Sequence, residues 1–184
     1  GATSGMGTLA PVVSQELLDW HTNLLFLSTN TTCQDAFDEN FDWDQRPPDS
    51  RRGSRQVALQ ALYWEASSAA TSTVAVRELS QRFEVSAEVA GFASDLVRRV
   101  DSHRDELRQE IEAHATNWSV ERIARIDGII LRLALAEILY MSNVPARVSI
   151  DEAVELAKQF STEDSFGFVN GVLDAVVRQR GIAV

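Results

Sequence analysis

The pattern of apolar and polar residues after residue 50 repeats with the period of an α-helix. Apolar side chains at i, i+3, i+4 and i+7 lie on one face of a helix, so the pattern predicts a series of amphipathic helices. No segment alternates apolar and polar residues convincingly over strand length. We therefore predict an all-α fold of about six or seven helices. The predicted helices span about 50–67, 73–83, 86–118 with a bend near Asp101, 119–139, 149–160 and 162–180.

Local signals place several of these helix boundaries. Asp49 or Ser50 can cap the first helix, and Gly181 ends the last. Ser149 and Glu152 have the spacing of a capping box, with the serine at the N-cap and the glutamate at N3. The helix over about 123–139 is apolar on nearly all sides, which is typical of the centre of a helical domain.

The chain divides near residue 50 into two segments of different charge. Residues 1–50 carry eight acidic residues and one arginine, a net charge of −7, whereas the rest carries 16 basic and 19 acidic residues, a net charge of −3. Arg46, Pro47 and Pro48 form a turn-prone linker between the segments. We predict an acidic N-terminal extension over 1–50, with a short amphipathic helix around 15–27, and a helical domain over 51–184. Residues 1–5 read as a cloning remnant or a small flexible lead.

The acidic extension has two interpretations. Phe37, Phe41 and Trp43 stand among acidic residues, and such a composition is typical of a solvated tail. The same segment could instead fold back onto a basic face and act as a pseudo-ligand. The sequence leaves both interpretations open.

Composition limits the chemistry of the chain. Its net charge of −10 repels polyanions unless the basic residues are gathered in one place. The single cysteine, Cys33, excludes an internal disulfide and a cysteine-rich zinc site, and no apolar run approaches the roughly 20 residues that cross a bilayer. The three histidines are scattered, and no nucleotide-binding or hydrolase motif occurs. We predict a cytoplasmic protein without catalytic activity, metal or cofactor.

A cluster of arginines stands out against this acidic average. Arg51, Arg52 and Arg55 lie at the start of the first predicted helix. Positive charge there opposes the helix dipole, which indicates a compensating anion. RNA phosphates suit a guanidinium fork, and arginine also stacks on unpaired bases. The alternative is that these arginines face solvent or bind the neighbouring acidic segment.

Four ordered blocks of residues carry a resemblance to a known family. They are RRGSRQVALQALY at 51–63, RIDGIILRLA at 125–134, VP followed by IDEAVELAK within 144–158, and FVNGVLD at 168–174. In this order they resemble the signature blocks of the NusB family of transcription antitermination factors. The resemblance covers residues 51–174 and none of the first 50.

The resemblance implies a fold and a function. It implies two packed three-helix sub-bundles with an added helix. It also implies binding to the boxA element of ribosomal RNA leader transcripts, together with NusE, the small-subunit ribosomal protein. That complex joins the RNA polymerase antitermination complex.

The resemblance also implies roles for particular residues. Arg51, Arg52 and Arg55 are expected to hold RNA phosphates. Tyr63, Phe168 and Asn170 are expected to flank the same RNA face. The helix from Asp127 to Glu137 is the candidate surface for the protein partner. Gly53 and Gly167 depart from the family pattern, because a basic residue often stands at each place.

Structural roles compete with several of these assignments. Phe168 is at least as well suited to the core, and Asn170 can tie a backbone group instead of reading a base. Arg132, inside the apolar central helix, is expected to pair with a buried carboxylate such as Glu137 or Glu152.

Two other functions remain open on the sequence. One is the NusB-like RNA-binding domain of a ribosomal RNA cytosine methyltransferase, of which this chain would be a fragment. The other is a helical protein-interaction module that does not bind RNA, with the acidic extension covering the arginine cluster. The sequence also leaves open a homodimer that hides the RNA face.

Overall fold

The computed structural model describes residues 45–116 and 123–184, and every regular element in these ranges is an α-helix. The all-α prediction and the predicted number of helices are confirmed. The predicted helix around 15–27, the aromatic residues of the acidic segment and the predicted helix start at Ser119 lie outside the described residues. The helices are α1 (Arg51–Ser67), α2 (Ser72–Arg82), α3 (Ala87–Ser102), α4 (Arg104–His114), α5 (Arg125–Tyr140), α6 (Ala146–Phe160) and α7 (Ser165–Gln179).

Several helix boundaries follow from the local signals in the sequence. Ser86 caps α3, because its hydroxyl accepts a hydrogen bond from the Val89 N–H at 3.3 Å. The bend predicted near Asp101 is a break at His103, between α3 and α4. Gly181 follows α7 with a φ of +65°, a left-handed conformation that glycine adopts at little cost.

The predicted capping box at Ser149 is wrong. Helix α6 begins one turn earlier, at Ala146, and Pro145 occupies the N-cap position. Pro145 is extended, with φ −61° and ψ 138°, as is typical of an N-cap residue, so the helix begins directly after the proline and not after the serine. Ser149 lies inside the helix, where its buried hydroxyl donates to Glu137 Oε1 at 2.7 Å.

Two groups of helices pack around α5. Helices α1, α2 and α3 contact one another, and so do α5, α6 and α7. Helix α4 packs against α5 and α7, and α5 also contacts α1 and α3. Leu131 and Leu135 of α5 are fully buried, which confirms the predicted central helix. This arrangement agrees with two packed sub-bundles.

Gly53 is fixed by the chain that leads into α1. A Cβ atom on Gly53 would lie 1.8 Å from the carbonyl oxygen of Pro48, a distance at which backbone must move. Pro47 is buried, so this part of the linker belongs to the packed domain. The close approach explains why a longer side chain does not stand at position 53.

Candidate nucleic-acid interface

A groove of about 790 Å³ opens at the start of α1. Its residues come from the linker, from the first turns of α1 and from the segment that enters α6. Three arginines and one acid, Glu152, line it, and its other wall is apolar. The arginines are Arg51, Arg52 and Arg55, and the apolar wall is formed by Val144, Pro145 and Val148. Such a groove combines guanidinium donors with an apolar surface.

Arg55 lies in the floor of the groove and is paired internally. Its Nε and one terminal nitrogen donate to the two carboxylate oxygens of Glu137 at 2.9 and 2.6 Å. The other terminal nitrogen lies 3.6 Å from Glu152, and the side chain is only 6% exposed. With the hydroxyl of Ser149 also on Glu137, this network joins α1, α5 and α6. The prediction that Arg55 holds a phosphate is therefore revised, because its guanidinium is buried and already bound on two sides.

Arg52 lies at the surface of the same groove. Its Nε and one terminal nitrogen donate to Glu152 at 3.1 and 2.8 Å, and its side chain is 49% exposed. The hydrogen bond and the charge of Glu152 raise the pKa of Arg52 above its ordinary value. Glu152 thus orients the guanidinium and leaves half of the side chain open to solvent.

Arg51 lies over an aromatic ring. Its guanidinium carbon is 4.1 Å from the ring centroid of Phe92, a cation–π contact, and its Nε is 3.9 Å from Glu88. The side chain is 48% exposed. The ring supports the flat face of the guanidinium, and its N–H groups remain available at the groove.

Tyr63, Asp127 and Glu137 lie inside the protein. Tyr63 is fully buried, Asp127 is 6% exposed and Glu137 is 1% exposed. Asp127 accepts a hydrogen bond from Ser165, the first residue of α7, at 2.9 Å. Burial raises the pKa of Asp127, against the opposing effect of hydrogen bonds from Ser161 and Ser165. Because these side chains are buried, they present almost no surface to a ligand in this structure. The predicted contact of Tyr63 with RNA and the predicted contacts of the two acids with a protein partner are revised accordingly.

Phe168 and Asn170 lie half-buried in the first turns of α7. The Asn170 amide donates to the Asp174 carboxylate at 3.1 Å, one turn further along the helix. The exposed aromatic residue of this turn is Phe166, which the sequence-based assignment passed over. No residue of the α7 start lines the groove at α1.

Arg132 does not pair with Glu137 or Glu152, so that prediction is wrong. Its Nε donates to the carbonyl oxygen of Gly128 at 3.0 Å. Five residues along a helix correspond to a rotation of roughly 140°, so Arg132 and Glu137 point away from each other around α5. Burial and the charge of Arg104 lower the pKa of Arg132.

Glu152 and Phe92 contact the arginines of the groove, and sequence reasoning missed both contacts. Glu152 was assigned to a cap, yet it holds Arg52 and lies near Arg55. Phe92 is a buried residue of α3, and the Arg51 guanidinium lies over its ring. The signal for Glu152 is its place nearly two turns into the helix that follows Pro145.

The described residues were also compared with the requirements of a metal site and of a membrane-spanning helix. Among residues 45–116 and 123–184, no group of three or more His, Cys, Asp and Glu side chains is arranged to hold a metal ion. Over the same ranges, no helix combines the length and apolar character needed to cross a membrane.

The fold and the groove define a class of protein: an all-helical domain that presents arginines at the start of its first helix. The model of the NusB family matches residues 52–178, and the chain belongs to this family. It is 45% identical over 131 residues to the transcription antitermination protein NusB of Myxococcus xanthus, covering 69% of this chain and 94% of the relative. It is 42% identical over 137 residues to that of Symbiobacterium thermophilum, covering 70% and 90%.

Two solved structures share the fold. The structure "T. maritima NusB, P3121, Form 2" superposes with a TM-score of 0.60 at 27% identity, covering 73% of this chain and 94% of that one. A chain in the "Crystal Structure of a Plectonemic RNA Supercoil" superposes with a TM-score of 0.66 at 26% identity, covering 73% and 98%.

Proposed function

We propose that this protein binds boxA-type single-stranded RNA of ribosomal RNA leader transcripts together with NusE. It acts without catalysis, in the cytoplasm, as part of the RNA polymerase antitermination complex. The observation that carries the proposal is the groove at α1, where Arg51 and Arg52 are each about half exposed beside an apolar wall. Family membership and the similar chain in an RNA crystal structure support it.

The chemistry of the groove suits a phosphate backbone. A guanidinium can bind phosphate oxygens through two parallel hydrogen bonds. The Arg52 side chain is 49% exposed, so a phosphate can bind its guanidinium from the solvent side while Glu152, which is 17% exposed, stays in place. Arg51, over the ring of Phe92, is paired only with Glu88 at 3.9 Å, and both side chains are exposed, so this pair is weak and a phosphate can replace it.

The buried network beneath these two arginines has a different role. Arg55 and Glu137 fix the start of α1 against α5 and α6, and so set the width of the groove. Asp127 fixes the start of α7 against α5 through Ser165. We assign these residues to positioning of the RNA and partner surfaces and not to contact with either.

A gel-shift titration with boxA-containing single-stranded RNA tests the proposal, with and without NusE. Full-length protein is compared with a variant that lacks residues 1–44. The deletion stops there because Pro47 is buried and Pro48 packs on Gly53. We expect both proteins to shift the RNA, and NusE to increase the affinity. Failure of both proteins to shift RNA in the presence of NusE contradicts the proposal, and a shift by the truncated protein alone shows that the acidic extension covers the groove.

The site is tested by Arg51→Ala combined with Arg52→Ala. Arg77→Ala combined with Arg98→Ala is the matched control, because these two arginines are 63% and 69% exposed and do not line the groove. Both double variants change the net charge equally. We expect only the groove variant to lose RNA affinity. Equal affinity of the two double variants contradicts the assignment of the site.

A further inference from the structure

Phe166 is an aromatic residue whose side chain lies at the protein surface and not in the core. It is 42% exposed, and the other large apolar residues this exposed among the described ranges are Val148 and Val184. Phe166 occupies the first turn of α7, followed by Gly167, where added side-chain atoms would meet open space. Much of the ring is therefore open to solvent at the start of α7.

A cation lies over this ring. The Lys158 Nζ is 5.7 Å from the ring centroid of Phe166, and it donates to Glu155 at 2.8 Å. Lys158 and Glu155 are 49% and 47% exposed, so their ion pair is weak and readily exchanged for another anion. The ammonium group lies towards one face of the ring, and the exposed part of the ring offers an apolar surface next to this positive charge.

This surface continues the proposed RNA groove along α6. Val148 lines the groove, and Glu152, which holds Arg52, stands one turn further on. Glu155 and Lys158 follow at helical spacing, and their side of α6 leads to Phe166. From Val148 to Lys158 the helix rises about 15 Å. A single strand that leaves the groove along α6 reaches Phe166.

We propose that Phe166 is a stacking platform for one unpaired base of the RNA strand, with Lys158 beside the adjoining phosphate. The inference rests on the proposed RNA-binding function and adds a residue to it. Glu163 and Asp164 precede the helix start and are exposed, so their charges oppose a phosphate directly at the α7 N-terminus. The contact of Phe166 is therefore made through the uncharged face of a base, and stacking on an aromatic ring accepts any base.

The test measures binding of full-length protein to boxA-containing single-stranded RNA by fluorescence anisotropy at several salt concentrations. Phe166→Ala is expected to weaken binding by roughly five- to 150-fold, the range for one lost base–aromatic stack. It is expected to leave the salt dependence unchanged, because no phosphate contact is lost. Phe166→Trp keeps a stacking surface and is expected to retain the affinity. Val184→Ala is the control for an exposed apolar side chain elsewhere.

A second measurement identifies the base. Abasic sites are placed one at a time along the RNA, and each RNA is titrated with wild type and with Phe166→Ala. At one position the abasic site is expected to weaken wild-type binding without weakening the variant further, because both changes remove the same stack. Lys158→Ala is expected to reduce the salt slope by about 0.7, the value for one phosphate on a single strand.

The outcomes separate this inference from the proposed function. If wild type binds the RNA and depends on Arg51 and Arg52, but Phe166→Ala binds equally well, the stacking platform is wrong and the proposed function stands. Additive losses at every abasic position also overturn it. If wild type does not bind the RNA, the proposed function fails and this inference falls with it.

Discussion

The ion pair between Arg55 and Glu137 predicts a large loss of stability when its acid is neutralised. Glu137→Gln keeps the size of the side chain but leaves the 6%-exposed guanidinium of Arg55 without its main counter-charge. Removing one partner of a buried pair costs about 3–5 kcal/mol. Glu152, 3.6 Å from Arg55, retains part of the attraction, so we expect the lower end, about 3 kcal/mol.

Urea unfolding followed by circular dichroism measures this loss, seen as a lower midpoint at an unchanged slope. Glu112→Gln is the matched control, since its pair with Arg108 is 38% and 61% exposed and contributes at most about 1 kcal/mol. Arg55→Met combined with Glu137→Met should recover stability relative to either single change, because no charge then remains unpaired. A loss below about 1 kcal/mol for Glu137→Gln would refute the reasoning.

Three further predictions concern stability. Gly53→Ala should destabilise the fold by about 1–3 kcal/mol, because the added Cβ atom clashes with the Pro48 backbone. Gly171→Ala is the control: it lies in an exposed helical position with open space around it, and it should stabilise the fold by about 0.5–1 kcal/mol in the same urea assay. Burial raises the pKa of Asp127, so the folded state holds that proton more tightly than the unfolded chain does. Wild type therefore loses stability as the pH rises from the ordinary pKa of an aspartate, near 4, through the raised pKa of Asp127. Asp127→Asn does not titrate, so its unfolding free energy relative to that of wild type should increase over this pH range. A difference that stays constant with pH would contradict this prediction. Thr71→Ala removes the cap of α2, in which its hydroxyl accepts from the Val74 N–H at 3.4 Å, and should cost about 1 kcal/mol, whereas Thr73→Ala in the same turn should not.

The sequence predicted the helices well because helical periodicity is a local property. Apolar spacing located all seven described helices, and it identified α5 as central from its apolar character alone. The start of α6 was misplaced because two start signals lie close together. Pro145, in an extended conformation, occupies the N-cap, and the Ser149 hydroxyl donates to Glu137 instead of capping the helix.

The roles of the arginines depended on pairing between distant segments, which periodicity does not describe. Arg55 falls on the same stripe of α1 as Ala58 and Leu62, which are buried, and this spacing favours an inward side chain. A buried acid in an apolar helix, Glu137, requires a cation from another element. The two signals together indicate the pair, but their separation of 82 residues hides it from any local pattern.

The salt dependence of RNA affinity tests the central claim most directly. Association constants for boxA-containing single-stranded RNA are measured over a range of salt concentrations for wild type, for Arg51→Ala with Arg52→Ala, and for Arg77→Ala with Arg98→Ala. Two lost phosphate contacts on a single strand should reduce the slope of log affinity against log salt by about 1.4 in the groove variant. The control should keep the wild-type slope. Identical slopes and affinities for the groove variant and wild type would contradict the account.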